Sequence, residues 1–174
     1  MSLVKPEKGG GINFMYEKVC KEMIAYFGSD VRRINHALKV WAFARIIGEN
    51  ENLDEFSKDV VNYTAILHDI GIKEAERKYN SNAGTYQEKE GPAIAKDILT
   101  KIGVDNSIIE RVCFIIGHHH TYNKIDGLDF QIIVEADFLV NIYEDEMKKE
   151  AIEKIKNSYF KTRTALELIS TMYL

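Results

Sequence analysis

Apolar residues recur at intervals of three and four along almost the whole chain, and two-residue alternation is absent, so the pattern predicts helices and no sheet. Phe14, Val19, Met23, Ile24 and Phe27 mark a first helix, capped by Asn13 and stopped at Gly28. Ser29 or Asp30 caps a second, whose buried face runs through Val31, Ile34, Leu38, Trp41, Ala44 and Ile47 to Gly48. A third spans Leu53 to Ile70, with Asp54 near its start. The polar stretch 72–89 reads as a long loop, either a lid over a site or a plain surface loop with a helical turn. Glu90-Gly91-Pro92 opens a fourth helix with proline in its first turn, ending at Gly103. Asp105 or Asn106 caps a fifth, Ser107 to Ile116. Asn123 to Gly127 make a turn. A sixth helix carries Phe130, Ile132, Ile133, Val134, Phe138, Leu139 and Val140, and one long helix from Met147 to Tyr173 closes the chain. The expectation is an all-α, single-domain bundle of about six to eight helices over residues 13–174. Residues 1–12, with their glycine triplet, read as a disordered lead and in part an expression remnant.

At 174 residues and 45% apolar the chain can bury a sizeable core. A net charge of −4 argues against a nucleic-acid polymer as partner, though a small phosphorylated ligand held by a local cation remains compatible. The two cysteines, Cys20 and Cys113, lie in helical patterns and read as buried thiols of a reducing compartment. No apolar run approaches the roughly 20 residues of a membrane span, and no signal peptide's apolar core is present, so the expected location is cytoplasmic and away from membranes.

The candidate chemistry collects on the histidines. All five of them, His36, His68, His118, His119 and His120, stand where they can serve as ligands. The third helix ends Ala65-Ile66-Leu67-His68-Asp69-Ile70-Gly71, delivering an imidazole and a carboxylate together at the end of a buried run. His36 lies in the second helix beside Arg32, Arg33 and Lys39; taken alone, it also fits a packed core histidine or a solvated basic face. Asp137 interrupts the most apolar helix, which is costly unless the acid is paired or binds a cation. Glu135, two residues away, cannot share that face. Imidazole nitrogen with carboxylate oxygen and no thiolate suits Mn, Fe, Co, Zn or Mg. Such an ion with open positions lowers the pKa of its water.

These residues resemble the HD superfamily of metal-dependent phosphohydrolases, an all-helical family whose signature is a histidine, then His-Asp, then a distant aspartate. The resemblance maps the signature to His36, His68-Asp69 and Asp137 and covers about residues 30 to 145. The phrases Arg33-Ile34-Asn35-His36, Ile66 to Gly71, Ile115 to His119 and Glu135 to Leu139 are similar to the family's. Family branches with more than one metal add a His-His pair, matched by His118 and His119 from the triplet. They also add a histidine where Glu90 stands here, so Glu90 becomes a candidate oxygen ligand. Gly-Tyr-Pro and the extra acids of the cyclic-dinucleotide and alarmone branches are absent.

The resemblance implies one or two divalent ions held by His36, His68, Asp69, His118, His119, Asp137 and Glu90, with His68 and Asp69 catalytic. It implies hydrolysis of a phosphate ester or anhydride of a nucleotide-like compound, whether as phosphomonoesterase, phosphodiesterase or pyrophosphohydrolase. Arg33, Lys39, Lys73 and His120 are then candidates to hold the substrate. A metal-retaining nucleotide sensor without turnover and a di-iron oxygenase are the alternatives.

Overall fold

The computed structural model describes residues 11–174, with side chains from Met15 onward. Every regular element among the described residues is helical. The elements are α1 (Gly11–Phe27), α2 (Val31–Asn50), α3 (Glu55–Leu67), α4 (Ile72–Tyr79), α5 (Gly84–Ile102), α6 (Asn106–Ile116), a 3₁₀ turn (Tyr122–Lys124), α7 (Leu128–Glu144), α8 (Lys149–Tyr159) and α9 (Arg163–Tyr173). Asn13, expected as a cap, falls inside α1, and residues 1–10 of the expected lead lie outside the described residues. No helix among those described is long and apolar enough to cross a membrane.

The bundle is built around α3. Its residues 60–67, from Val60 to Leu67, are all buried, so the last two turns of this helix show solvent no face. It contacts α1, α2, α6 and α7, while α2 lies along α7 and α5 along α6. The local signals for these helices hold: Asp30 caps α2 by accepting the Arg33 N–H, Asp54 caps α3 at Ser57, and Asp105 caps α6 at Ser107. The cysteines are free, Cys20 buried and Cys113 half-buried, and burial pushes the Cys20 thiol up to about 11.

Three expectations are corrected, which is why nine α-helices appear among the described residues. The polar stretch 72–89 is a helix pair, not a loop. α4 ends at Asn80, whose φ of 50° is left-handed, and α5 starts only four residues later at Gly84. The rings of Tyr79 and Tyr86 stack at 4.2 Å across the junction, and Gln87 Nε2 donates to the Asn82 carbonyl at 2.6 Å. Pro92 consequently lies inside α5 and not in its first turn.

The expected last helix breaks into α8 and α9 at Phe160 to Thr162. The cause is Glu135, fully buried on α7. Its carboxylate accepts from the backbone N–H groups of Lys161 and Thr162, from the Thr162 hydroxyl and from Gln131 Nε2. Those amides are turned toward α7, where they cannot continue a helix. Glu51 accepts the Thr164 N–H at 2.8 Å, completing the start of α9.

Gly71 sits where the turn after α3 crosses α5. A Cβ there would lie 2.4 Å from the Gln87 carbonyl oxygen and 2.7 Å from the Gly91 nitrogen, both backbone atoms, so the close crossing requires glycine although φ is an ordinary −72°.

Two outcomes follow. Glu135→Leu leaves the Lys161 and Thr162 amides and the buried Thr162 hydroxyl without this acceptor and should lower unfolding stability by roughly 2–4 kcal/mol in urea titration; a wild-type midpoint would refute the role given to this carboxylate. Gly71→Ala should force α3 and α5 apart, costing about 2 kcal/mol or more by the same measurement; a neutral effect would show that the crossing can relax.

Candidate metal centre

α3 stops at Leu67, and the tight turn that follows aims His68 and Asp69 toward α2, α6 and α7. α2 brings His36, α7 brings Asp137, and the turn after α6 brings His119 and His120. His36 Nε2 lies 3.3 Å from His68 Nε2, 3.1 Å from Asp137 Oδ1 and 3.6 Å from Asp69 Oδ2. His68 Nε2 is 3.5 Å from Asp69 Oδ2, and His119 Nε2 is 3.4 Å from Asp69 Oδ1. Ligand atoms of His36, His68 and Asp69 lie within 4.8 Å of one another, as do those of Asp69, His119 and His120. Asp69 is common to both groups, one oxygen facing each.

Hydrogen bonding assigns the ring nitrogens. His68 Nδ1 is 2.9 Å from the Ala65 carbonyl and His119 Nδ1 is 2.8 Å from the Ile116 carbonyl. A carbonyl only accepts, so both Nδ1 atoms carry the hydrogen. His36 Nδ1 stands 3.0 Å from Glu144 Oε2, an acceptor once ionised. In the neutral rings every Nε2 is then a lone pair, and two such lone pairs face each other at 3.3 Å. His119 Nε2 is buried with no hydrogen-bond partner among the described residues. An arrangement that turns nitrogen lone pairs and carboxylate oxygens inward, with each Nδ1–H anchored behind, fits a divalent cation.

The protonation equilibria carry the same demand. Burial opposes charge on His36, but the hydrogen bond and charge of Asp137, the charge of Asp69 and the bond to Glu144 override it and raise the imidazole to about 9. Burial likewise opposes, and Asp69 overrides, at His119, whose pKa rises. Burial would raise Asp69 and Asp137, yet the facing imidazoles hold both below the usual carboxylate range. His68, fully enclosed, is lowered by burial, and His120 is lowered to about 4 by burial and by His119. The two carboxylates thus draw positive charge onto inward-facing nitrogens, a place where metal ions compete with protons.

The other expected site residues are placed as follows. His118 turns outward, its Nδ1–H on the Phe114 carbonyl and its ring against Phe114, because successive residues of a helical turn point in different directions. The turn brings His120 back to the cluster instead, its ring lying against the Cα of Gly84, where a Cβ would meet it at 2.6 Å. Glu90 is not brought in: its oxygens are taken by Lys78 and the Tyr79 hydroxyl on α4. Glu88 lies closer, accepting the His120 N–H at 3.0 Å and the Thr121 hydroxyl at 2.9 Å. Lys39 is ion-paired with Glu144, and Lys73 donates to the Tyr26 carbonyl at 2.7 Å.

A cleft of about 330 Å³ opens onto the cluster, lined by Arg32, Arg33, His36, Asp69, Asn82 and Asn141 among others. Arg33 is held there by Asp30 at 2.8 Å and Glu76 at 2.6 Å, while Arg32 has no ion-pair partner among the described residues. Arg32, Asn82, Asn141 and Glu144 were not foreseen as site residues. Helical spacing was the available signal for three of them, since Arg32 precedes His36 by four residues and Asn141 and Glu144 follow Asp137 by four and seven.

A family model described as HD domain matches residues 33–157. A crystal structure described as a predicted HD superfamily hydrolase from an uncultured Thermotogales bacterium is similar in fold, with a TM-score of 0.62 and 23% identity, covering 92% of this chain and 84% of that one. No curated protein matches the chain.

If the cluster holds metal, protein purified without chelator should contain it by elemental analysis. His36→Ala, His68→Ala and Asp69→Ala should each lower the bound fraction at least tenfold, and His118→Ala should leave it unchanged. Full retention by the first three would exclude the assignment.

Proposed function

The chain belongs to the HD domain family, and from that premise we propose that it is a metal-dependent hydrolase of a phosphate ester or anhydride in a small, nucleotide-like compound. The observation that carries the reading is Asp69, whose two oxygens face two separate histidine groups at the floor of a cleft with arginines on its wall. The structural relative from the Thermotogales bacterium is itself described as a predicted hydrolase. A divalent ion bound by His36, His68, Asp69 and Asp137, with His119 and His120 available to a second, would supply Lewis-acid polarisation and a water of lowered pKa.

The chain's own groups have distinct tasks in this reading. Asp69, kept ionised by three imidazoles, accepts a hydrogen bond from the attacking water and fixes its direction toward the cleft. Arg33 is fixed by its two carboxylates and presents its remaining surface to an anion. Arg32, without such a pair, is free to close on a phosphoryl oxygen. Asn82 and Asn141 offer amides to the uncharged part of the substrate. The same cleft suits binding alone, and the assay separates the two.

Purified protein with Mn²⁺ or Fe²⁺ should hydrolyse at least one member of a panel of nucleotides and bis(4-nitrophenyl) phosphate. Asp69→Ala should lose roughly 10²-fold or more in kcat/KM. Saturable, metal-dependent nucleotide binding without turnover would replace the hydrolase with a sensor, and oxygen consumption by the iron-loaded protein would replace it with an oxygenase. Turnover that survives Asp69→Ala would remove that residue from the chemistry.

A further inference from the structure

Resting on the metal-dependent reading above, we propose that Glu144 is a positioning residue for His36 and that Lys39 holds Glu144 in place. The imidazole of His36 is gripped at both ends by one helix. Its Nε2 is 3.1 Å from Asp137 Oδ1 and its Nδ1 is 3.0 Å from Glu144 Oε2. Asp137 and Glu144 are seven residues apart on α7, two turns along one face, so their carboxylates bracket the ring of a side chain arriving from α2. Asn141 stands between them and donates to Asp137 Oδ1 at 2.9 Å. The second oxygen of Glu144 goes to Lys39, one turn after His36 on α2. The contact between α2 and α7 is thereby a ladder of polar groups leading from the metal centre to the surface.

The grip has a chemical consequence. His68 and His119 rest their Nδ1–H groups on neutral carbonyls, whereas His36 rests its own on a carboxylate. An anionic acceptor fixes the Nδ1–H tautomer, aims the Nε2 lone pair at Asp69 and His68, and makes the ring a stronger donor. Glu144 is largely enclosed, its side chain 14% exposed, and a third uncompensated carboxylate beside Asp69 and Asp137 would be repelled. Lys39 removes that repulsion. This gives the lysine, expected to hold substrate phosphate, a place behind the ligand and outside the residues lining the cleft.

The test uses the whole protein and Co²⁺ alone, titrated by its d–d absorption, with Zn²⁺-loaded samples for long-range ¹⁵N spectra of the histidines. Glu144→Ala should weaken Co²⁺ binding roughly 10–100-fold, shift the absorption bands, and release His36 from a single Nδ1–H tautomer. Glu144→Gln, whose amide oxygen still accepts but carries no charge, should show part of that loss. Lys39→Met should also weaken binding, by a smaller factor. Thermal melts check folding, and should Glu144→Ala fail to fold, the shape-conserving Gln and Met variants decide. Wild-type affinity and band positions in Glu144→Ala, or complete rescue by Gln, would overturn the positioning role while leaving the hydrolase reading intact. Wild-type protein that takes up no Co²⁺ would overturn the metal-dependent reading and this inference with it.

Discussion

Two carboxylates and four imidazoles converge at the end of the most enclosed helix among those described, and the surrounding structure is arranged to make that tolerable. His68 is fully enclosed and the Asp69 side chain is only 17% exposed. An isolated ion in such a place costs several kcal/mol. The flanking Ile66, Leu67 and Ile70, all essentially fully buried, each contribute about 1.5–3 kcal/mol, which is enough to carry a polar pair inward only if that pair is itself well solvated by the chain. The chain provides this solvation through a carbonyl behind each of His68 and His119, an amide on Asp137 and a carboxylate behind His36. Position in the sequence therefore matters less than what stands behind each ligand.

The same requirement explains the close backbone crossings. For the turn carrying Asp69 to face the turn carrying His119 and His120, α5 must pass between α4 and α6 with little side-chain volume, and Gly71, Gly84 and Gly91 occupy those approaches. A Cβ at Gly91 would meet Ile116 at 2.7 Å, and one at Gly84 would meet the His120 ring. Three glycines spread over 21 positions of sequence thus serve one geometric end, bringing α6 close enough to share Asp69.

What could be read from the sequence divides along local and non-local lines. Helices α2, α3, α6 and α7, the aspartate caps of the first three, and the inward acid at Asp137 follow from periodicity and short-range chemistry, whereas joining His36, His68, Asp69 and Asp137 into one set rested on the family resemblance. The break between α8 and α9 was illegible because its cause, Glu135, lies more than twenty residues upstream and acts through backbone amides. α4 was hidden because its exposed surface carries Lys, Arg and Glu in place of an apolar stripe, leaving only Ala75 buried. Lys39 and Lys73 look alike as candidate phosphate ligands until folding supplies Glu144 to one and the Tyr26 carbonyl to the other. The histidine triplet shows the limit of spacing arguments: whether His118 or His120 joins His119 depends on how a helix ends, not on the order of residues.

The placement of charge around the cleft bears on selectivity. A chain of net charge −4 has no general attraction for anions, so recognition must come from the few cations that face the site. Arg33 is pinned between Asp30 and Glu76, while Arg32, also on the wall of the cleft, has no ion-pair partner among the described residues. Pinning fixes geometry and weakens the field felt at a distance, since each paired cation presents little net charge beyond a Debye length of about 8 Å. An anionic substrate would be held by short, directed contacts once inside and steered little from outside. Under the proposed reading, such an arrangement would discriminate by fit within a cleft of about 330 Å³.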